Sequence, residues 1–247
     1  MIMENNNIIK KVLLKYVRNR LYKYPYGLRY KNMKFHGQKG EDYVIFEKFF
    51  INKFNGIFIE LGAMDGNIYS NTKFFEDTLN WTGILIEPNP YLFKKLIKNR
   101  KNCKNYNNLI SNTNKTIEFT NFEKSSVSYI NNTAPKNHIN KYKNSKKSFY
   151  KNQKIETLYL KSKRLQDIIE DSGFSKIDFL SLDVEGHEFE VLKSIDFSKT
   201  TIHVILVEVL DDNKNNNKIK KFLCENNYIF YGKHSRNEIY KLNKIIN

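Results

Sequence analysis

The chain has 247 residues, 40% hydrophobic and 28% charged, which is typical of a protein that buries a core. It has no run of about 18 apolar residues, and its two cysteines form neither a disulfide framework nor a metal-ligand spacing. These features argue against a membrane-spanning or disulfide-rich secreted protein and favour one soluble domain in the reducing cytoplasm.

The formal net charge of +16 is concentrated in two segments. Residues 1–40 carry ten Lys or Arg and one acid, whereas residues 131–154 carry seven Lys and no acid, so the two segments hold the whole excess. The chain is also rich in Asn, which, like Lys, is encoded by adenine- and thymine-rich codons. Genome composition is therefore an alternative explanation for much of the Lys content, and the charge alone does not favour a nucleic-acid partner.

Residues 1–34 are predicted to be a basic extension that precedes a single domain over 35–247. Apolar residues recur every four positions in this extension, at Ile9, Leu13, Val17 and Leu21. This pattern predicts an amphipathic helix, which could lie on a membrane surface through residues 8–21. A helix packed on the domain, or a partly ordered tail, is the simpler alternative.

From residue 57 onward, short apolar runs alternate with helical patterns. Strands are predicted at 57–61, 83–87, within 106–111, and at 177–184 and 202–209. Helices are predicted between them at 70–79, where Ser70 or Asn71 could cap the first turn, around 91–96, and around 189–192. Continuously apolar strands separated by helices indicate a parallel sheet that is covered on both faces.

The rest of the domain departs from this alternation. Residues 131–153 are polar, Lys-rich and without periodicity, so they are predicted to be a mobile surface insertion. A polar helix is expected over 214–225, followed by strands at 227–231 and 238–242. Because only six residues separate the two strands, they are predicted to form an antiparallel hairpin at the end of the sheet.

Four acids stand at or beside the ends of predicted strands: Glu60, Glu87, Asp183 and Glu208. In an open parallel sheet, ligands bind beyond the carboxyl ends of the strands. A group of four acids at that edge therefore predicts a polar crevice that receives hydroxyls, amines or a cation.

The loop after the first strand indicates which ligand enters this crevice. It is a Gly-x-x-x-Gly loop from Gly62 to Gly66, not the Gly-x-Gly-x-x-Gly of a dinucleotide site, and no phosphate-binding Gly-Lys-Ser/Thr is present. Gly62 would let a ligand lie against the backbone, and Gly66 would permit a positive φ. Glu87 could accept both hydroxyls of a ribose. The pattern favours S-adenosylmethionine, whose near end is cationic and free of phosphate.

Longer stretches resemble the FkbM-type methyltransferase family. They are Gln38–Asp42, Phe58–Gly66, Ser70–Thr72, Trp81–Pro90 and Ile177–Leu192, in the family's order and spacing over residues 35–210. The resemblance implies an α/β, Rossmann-like class I methyltransferase fold, with a mostly parallel seven-stranded sheet, helices on both faces and a C-terminal antiparallel hairpin. It also implies an enzyme that uses S-adenosylmethionine to methylate a hydroxyl of a sugar, glycan or related small metabolite.

Carried over position by position, the resemblance implies a cofactor site made of Glu60, Gly62, Ala63, Asp65, Gly66, Asn71, Glu87 and Ser111. In this site Glu87 would take the ribose, Asn71 would lie near the methionine end and Ser111 would lie on the adenine side. The N-terminal extension and the insertion at 131–153 depart from the family pattern, so the acceptor side of the pocket is not defined by the resemblance.

The run from Asp183 to Glu188 contains the candidate catalytic residues Asp183, Glu185 and His187. If the strand continues that far, Asp183 and Glu185 project on one side, and Gly186 then turns the chain to present His187. A carboxylate or a neutral imidazole could take the proton that an acceptor hydroxyl loses. The simpler alternatives are a helix cap at Asp183, first-turn acids and a surface histidine.

Other functions remain open at this stage. No resident metal is predicted, although Asp183 and Glu185 with Glu208 could bind a divalent cation. The leading hypothesis is O-methylation of a hydroxylated metabolite or glycan, with the Lys-rich insertion attracting an anionic acceptor. The alternatives are an RNA methyltransferase that uses the basic segments, and a binding module that has kept the cofactor site without turnover.

Overall fold

The computed structural model of the protein describes residues 33–143, 154–210 and 213–243. The predicted amphipathic segment 8–21 and residues 144–153 of the Lys-rich insertion lie outside these described residues. In the described part of the chain, no helix is both long enough and apolar enough to cross a membrane.

The first half of the domain begins with helix α1 (Glu41–Ile45), which continues as a π-helical turn over Phe46–Phe50. Strands and helices then alternate as β1 (Ile57–Leu61), α2 (Lys73–Leu79), β2 (Thr82–Ile86), α3 (Pro90–Asn99) and β3 (Lys104–Tyr106). Four further elements follow: β4 (Leu109–Ile110), β5 (Thr116–Phe122), β6 (Tyr129–Ile130) and α4 (Lys136–Lys143).

The second half begins with the long strand β7 (Ile155–Lys163) and helix α5 (Leu165–Ser172). The chain then forms β8 (Lys176–Leu182), α6 (Glu188–Leu192), β9 (Thr201–Glu208) and α7 (Asn213–Glu225). It ends in the hairpin of β10 (Tyr228–His234) and β11 (Asn237–Leu242), as predicted.

The main sheet has seven strands in the order β10-β11-β9-β8-β1-β2-β3. The five strands from β9 to β3 are parallel, and β11 pairs antiparallel with both β9 and β10. The predicted fold class is therefore confirmed. The chain builds outward from β1 to β3 and later returns to place β8 on the other side of β1. This reversal creates a crevice beyond the ends of β1 and β8, where such sheets bind ligands.

Burial on both faces explains why the parallel strands are continuously apolar. In β1, Phe58 packs with aromatic residues such as Phe74 and Trp81 on one face, whereas Ile59 packs with the aliphatic cluster on the other. Successive strand side chains point to opposite faces, so a strand with two covered faces needs an apolar residue at nearly every position.

Two predicted elements differ in the structure. The strand expected within 106–111 is divided, because β3 ends at Tyr106 and β4 (Leu109–Ile110) leaves the main sheet to pair with β7. The helix expected from residue 70 begins at Lys73, with Thr72 at its N-cap. Ser70 still contributes to the cap, since its hydroxyl accepts a hydrogen bond from the Lys73 amide at 3.0 Å.

A second, smaller sheet has the order β4-β7-β5-β6, and the sequence analysis did not predict it. Its β5 and β7 pair antiparallel over seven residues each. Residues 131–153, which follow β6, were predicted to be a mobile loop, and for residues 131–143 that prediction is wrong. Residues 136–143 form α4, and Ala134 is buried in a cluster with Phe122, Val127 and Tyr129.

Candidate active site

A cavity of about 900 Å³ lies at the carboxyl edge of the main sheet, within the size range of small-molecule and cofactor sites. Apolar side chains such as Leu61, Ile86 and Leu109 form part of its wall. Six of the predicted site residues line the cavity: Gly62, Asn71, Glu87, Asp183, Glu185 and His187. The other five, Glu60, Ala63, Asp65, Gly66 and Ser111, do not line it, so any role they have is exerted from behind the wall.

Gly62 brings the ends of β1 and β8 together. Its φ is +75°, and a Cβ at this position would lie 2.0 Å from the carbonyl oxygen of Asp183. The amides of Gly62 and Ala63 both donate to the Ile86 carbonyl, at 3.1 and 3.2 Å, which joins the loop to the end of β2 as well. The glycine is therefore required first for the close approach of two backbones, and the cavity forms beside that contact.

Glu87 is buried at the end of β2 and faces the cavity. Its Oε2 accepts from the Met64 amide and its Oε1 from the Asn89 amide, both at 2.8 Å. Burial raises the pKa of Glu87 to about 7, although these amide bonds oppose the shift. Each carboxylate oxygen has a second lone pair, so Glu87 can still accept hydrogen bonds from a diol.

Glu60 is buried beneath the 70–72 segment. Its carboxylate accepts from the Ser70 hydroxyl at 2.8 Å, the Thr72 hydroxyl at 2.6 Å and the Asn71 amide at 2.6 Å. This anchoring directs Asn71 toward the cavity, where its Nδ2 donates to Ser181 Oγ at 3.0 Å. Asn71 Oδ1 is buried without a hydrogen-bond partner in the described part of the chain.

Asp65 and Gly66 shape the loop from its outer side. Asp65 Oδ1 accepts from the amides of Asn67 and Ile68 at 2.9 and 2.8 Å, which closes the turn. Gly66 has a φ of +81°, and a Cβ there would lie 2.6 Å from Arg100 Cγ. These contacts support a structural contribution to the loop from both residues.

His187 is buried and bridges two distant segments. Its Nδ1 lies 3.0 Å from Thr133 Oγ1, and its Nε2 lies 3.1 Å from Ser111 Oγ. Burial lowers the pKa of His187 to about 4, so the imidazole is neutral at pH 7. The alternative of a surface histidine is therefore wrong. Ser111 is directed at His187, and its predicted place on the adenine side stays a prediction.

The condition that the strand continues to Glu185 is not met, because β8 ends at Leu182 and Glu185 has a left-handed φ of +56°. Nevertheless, carboxylate oxygens of Asp183, Glu185 and Glu208 lie within 4.8 Å of one another. A set of this kind can share protons or hold a hard divalent cation. Asp183 and Glu185, which follow β8, thus meet Glu208 from the end of β9 at one wall of the cavity.

Within this group, desolvation at the cavity wall raises the pKa of both Asp183 and Glu208, and Glu208 Oε2 is buried without a hydrogen-bond partner among the described residues. The pKa of Glu208 rises to about 11, because the charge of Asp183 adds to the effect of burial. Glu208 therefore keeps its proton at neutral pH, and Asp183 is the first of the two acids to ionise. The side chain of Asp183 lines the cavity.

Sequence reasoning missed two residues that organise this site. Asn89 caps α3 by accepting from the Tyr91 amide at 2.9 Å, and its Nδ2 donates to the Phe122 carbonyl at 3.0 Å. The Asn-Pro pair at 89–90 is a helix-start signal that could have revealed this role. Arg100 contacts Gly66, Ser70 and Thr72 from the side away from the cavity. Its local sequence does not distinguish it from the neighbouring surface cations.

A parallel sheet with this switch point, and with acids and a Gly-x-x-x-Gly loop at its strand ends, defines a class I methyltransferase. The family model of the methyltransferase FkbM domain matches residues 60–230, which is more than half of the chain. The chain belongs to this family. It is a methyltransferase whose cofactor is S-adenosylmethionine.

Solved structures resemble the chain only in fold. They include a methyltransferase from Pyrococcus furiosus (TM-score 0.42, 13% identity, 97% of this chain and 99% of that chain). Two others have a TM-score of 0.43: precorrin-6y C5,15-methyltransferase from Geobacter metallireducens (10% identity, 81% and 84% covered) and M. capricolum TrmK with S-adenosylhomocysteine (7% identity, 83% and 68% covered). No curated protein sequence matches the chain. These similarities carry no argument about the acceptor.

Proposed function

We propose that the protein transfers the methyl group of S-adenosylmethionine to a hydroxyl of a sugar, glycan or related metabolite, with Asp183 as the general base. The observation that carries this proposal is the Asp183 carboxylate, which faces the cavity beyond β8 within 4.8 Å of the carboxylate oxygens of Glu185 and Glu208. Because the charge of Asp183 raises the pKa of Glu208, Asp183 is the acid of this pair that ionises first and can act as the base.

The bound cofactor supplies an electrophilic methyl group. Transfer forms a bond between the acceptor oxygen and the methyl carbon and breaks the bond between that carbon and sulfur, whose electron pair stays on S-adenosylhomocysteine. Asp183 takes the hydroxyl proton as the oxygen loses its electron density to the new bond. Proximity and alignment can supply about 7–11 kcal/mol of the acceleration.

The cofactor half of the cavity would be formed by the residues at the ends of β1 and β2. Glu87 is suited to the ribose hydroxyls, and the unpaired Oδ1 of Asn71 is suited to an ammonium group. Gly62 keeps the two strand ends close enough to form one wall. The acids of the opposite wall favour a cofactor that carries a positive charge.

The acceptor half has two electrostatic zones. Its wall is acidic at Asp183, Glu185 and Glu208, whereas its rim includes the exposed cations Lys39, Lys124 and Arg236. An acceptor that presents a neutral hydroxyl to the wall and an anionic group to the rim matches both zones. This supports a phosphorylated, nucleotide-linked or acidic glycan acceptor. The two free cysteines, Cys103 and Cys224, support a cytoplasmic setting.

His187 is better suited to positioning than to proton transfer. Both of its ring nitrogens are engaged by hydroxyls, and its low pKa leaves it a weak base. We therefore assign the proton to Asp183, with Glu185 as the neighbouring acid. His187 would hold the small sheet against the catalytic wall.

The decisive experiment incubates the purified protein with methyl-labelled S-adenosylmethionine and separate panels of nucleotide sugars, glycans and RNA. Products are analysed by mass. We expect a gain of one methyl group on a hydroxyl of one sugar-containing class. Methylation of carbon or nitrogen, or transfer to RNA alone, would contradict the O-methylation proposal.

RNA is the second candidate, because the whole excess of positive charge is confined to two segments that could hold a polyanion. RNA binding would then weaken steeply with salt, roughly tenfold or more between 50 and 200 mM. A binding module without turnover is distinguished by S-adenosylhomocysteine binding without transfer to any panel.

A further inference from the structure

We propose that Arg100 is a positioning residue that fixes the 66–72 loop, which continues the glycine loop of Gly62–Gly66, in the conformation that receives S-adenosylmethionine. This inference rests on the cofactor part of the proposed function. Arg100 does not line the cavity, so its effect would be exerted through the loop.

Arg100 follows α3 and is completely buried. One guanidinium nitrogen donates to the Gly66 carbonyl at 2.9 Å and to Ser70 Oγ at 3.1 Å, and the other donates to Thr72 Oγ1 at 3.0 Å. These contacts bracket the part of the loop that forms the cavity wall. The wall residues held between them are Ile68, Tyr69 and Asn71.

Two carboxylates fix the guanidinium itself. Nε donates to Glu76 on α2, and a second nitrogen lies 3.7 Å from Glu60. Glu60 also accepts from Ser70 and Thr72, so cation and anion hold the same two hydroxyls. An unpaired charge in this position would be costly to bury, which restricts Arg100 to this one geometry. The planar fork of Arg permits three directed bonds that Lys cannot reproduce.

The loop is shaped to let Arg100 pass. The missing Cβ of Gly66 leaves space for the Arg100 Cγ, at 2.6 Å from where that Cβ would be. The absence of a Cβ at Gly66 therefore makes room for the Arg100 side chain, whereas the sequence analysis placed Gly66 in the cofactor site. The motif glycine and the distant arginine therefore form one structural unit.

The loop also holds a conformation that an isolated chain would avoid. Tyr69 has a left-handed φ of +59°, and its backbone forms an isolated bridge with Gly37. Left-handed conformations at residues other than glycine are strained and persist when surrounding contacts enforce them. The Arg100 contacts on both sides of Tyr69 supply that enforcement at the cavity wall.

The test measures S-adenosylhomocysteine binding by calorimetry on the full-length protein, together with melting temperature. Arg100→Lys and Thr72→Val are compared with Thr200→Val. Thr200 is an equally suitable buried threonine, since its hydroxyl donates to Gln166 Oε1 at 3.1 Å away from the cavity. All three variants lose a buried polar contact, but only the first two lose a contact to the loop.

Thr72→Val removes the hydroxyl that accepts from Arg100 and donates to Glu60, so we expect it to raise the dissociation constant about fivefold or more, and Arg100→Lys to raise it further. Thr200→Val should lower the melting temperature with the dissociation constant unchanged within about twofold. If Arg100→Lys and Thr72→Val lower the melting temperature yet bind as tightly as wild type, Arg100 serves the fold alone and the inference is wrong. If wild type itself does not bind S-adenosylhomocysteine, the proposed function fails first. Should Arg100→Lys not fold, Thr72→Val and Ser70→Ala decide the question.

Discussion

At the scale of single residues, the chemistry of the site depends on how protons are shared among acids. Desolvation raises the pKa of both Asp183 and Glu208, and Glu208, whose pKa rises to about 11, keeps its proton while Asp183 ionises first. A third raised carboxyl, Glu87, titrates near neutrality on the cofactor side. Proton occupancy at these positions therefore connects catalysis with cofactor binding, and each can be tested separately.

Asp183→Asn should reduce methyl transfer by about 10²-fold or more, because it removes the proposed base while keeping the shape of the side chain. Binding of S-adenosylhomocysteine should change much less, since the amide still fits beside Gly62. Single-turnover rates and calorimetry measure the two effects. Glu190→Gln is the matched control, because this acid pairs with Lys193 at the surface and does not line the cavity. Wild-type turnover in folded Asp183→Asn would refute the assignment.

The affinity for S-adenosylhomocysteine should rise with pH through about 7, because the ionised Glu87 accepts ribose hydroxyls better than the protonated form. One pH unit below that pKa, only about a tenth of Glu87 is ionised, so binding at pH 6 should be roughly tenfold weaker than at pH 8. Titrations across this range measure the slope.

Glu87→Gln should bind weakly at every pH and lose the slope. Glu188→Gln should keep the slope, although the pKa of Glu188 is also raised to about 7 by burial, because Glu188 bonds to the Val184 and Gly186 amides and does not line the cavity. If the slope disappears in Glu188→Gln instead, the titrating group is Glu188, and the assignment to Glu87 is wrong.

At the scale of elements, most strands and helices with a periodic apolar pattern were predicted from the sequence, and the elements without such a pattern were missed. Continuous apolar runs identified the parallel strands, and Gly and acid positions identified the ends where the cavity forms. Helix α4 escaped prediction because Ile139 is its sole residue described as packing on a core cluster, which leaves no period to detect. Strand β7 alternates in exposure along most of its length, so its signal was present but was not used.

The site was predictable to the extent that it follows strand ends. The acids at strand ends could be identified because the end of a predicted strand can be located in the sequence, and Glu87, Asp183 and Glu208 do line the same cavity. The partners that hold the site were missed: Arg100 reaches back 34 residues to Gly66, and His187 reaches back 54 residues to Thr133. Contacts over such separations leave no local pattern, since either partner alone resembles an ordinary polar residue.

Gly186→Ala should destabilise the protein more than Gly173→Ala, because it also displaces the 133–135 segment. Both glycines have positive φ, +102° and +74°, but a Cβ at Gly186 would lie 2.8 Å from Pro135 Cδ, whereas nothing lies within 4 Å at Gly173. Backbone strain costs each variant about 1 kcal/mol, and overpacking should add roughly 1–3 kcal/mol at Gly186. Denaturant unfolding measures the difference. Equal losses of unfolding free energy in the two variants would mean that residues 133–135 are not packed against Gly186.

At the scale of the whole molecule, the cavity's acids make stability depend on pH. Glu208 has a folded pKa of about 11, far above its ordinary 4.5, so the folded protein keeps a proton that the unfolded chain releases. Its contribution to stability is therefore full below about pH 4.5 and is lost progressively as the pH rises toward 11. The proton on Glu208 therefore favours the folded state, and raising the pH destabilises the fold because the unfolded chain releases that proton more readily.

The melting temperature should fall as the pH is raised from about 6 to 9, and Glu208→Gln should make this fall shallower because its amide does not ionise. Asp183 and Glu87 have raised pKa values as well, so part of the slope should remain. Scanning calorimetry across the range provides the measurement. Glu225→Gln, at an exposed acid paired with Lys221, should leave the slope as in wild type. A Glu208→Gln slope equal to that of wild type would contradict the proton assignment.

The contact between Gly62 and the carbonyl of Asp183 has a consequence for biosynthesis. The two residues are far apart along the chain, and Glu208, which completes the acidic wall, follows later still. A nascent chain leaving the ribosome therefore presents the glycine loop and Glu87 long before the opposite wall exists. Because the cavity needs both walls, we expect a nascent chain to bind the cofactor only after β9 has emerged.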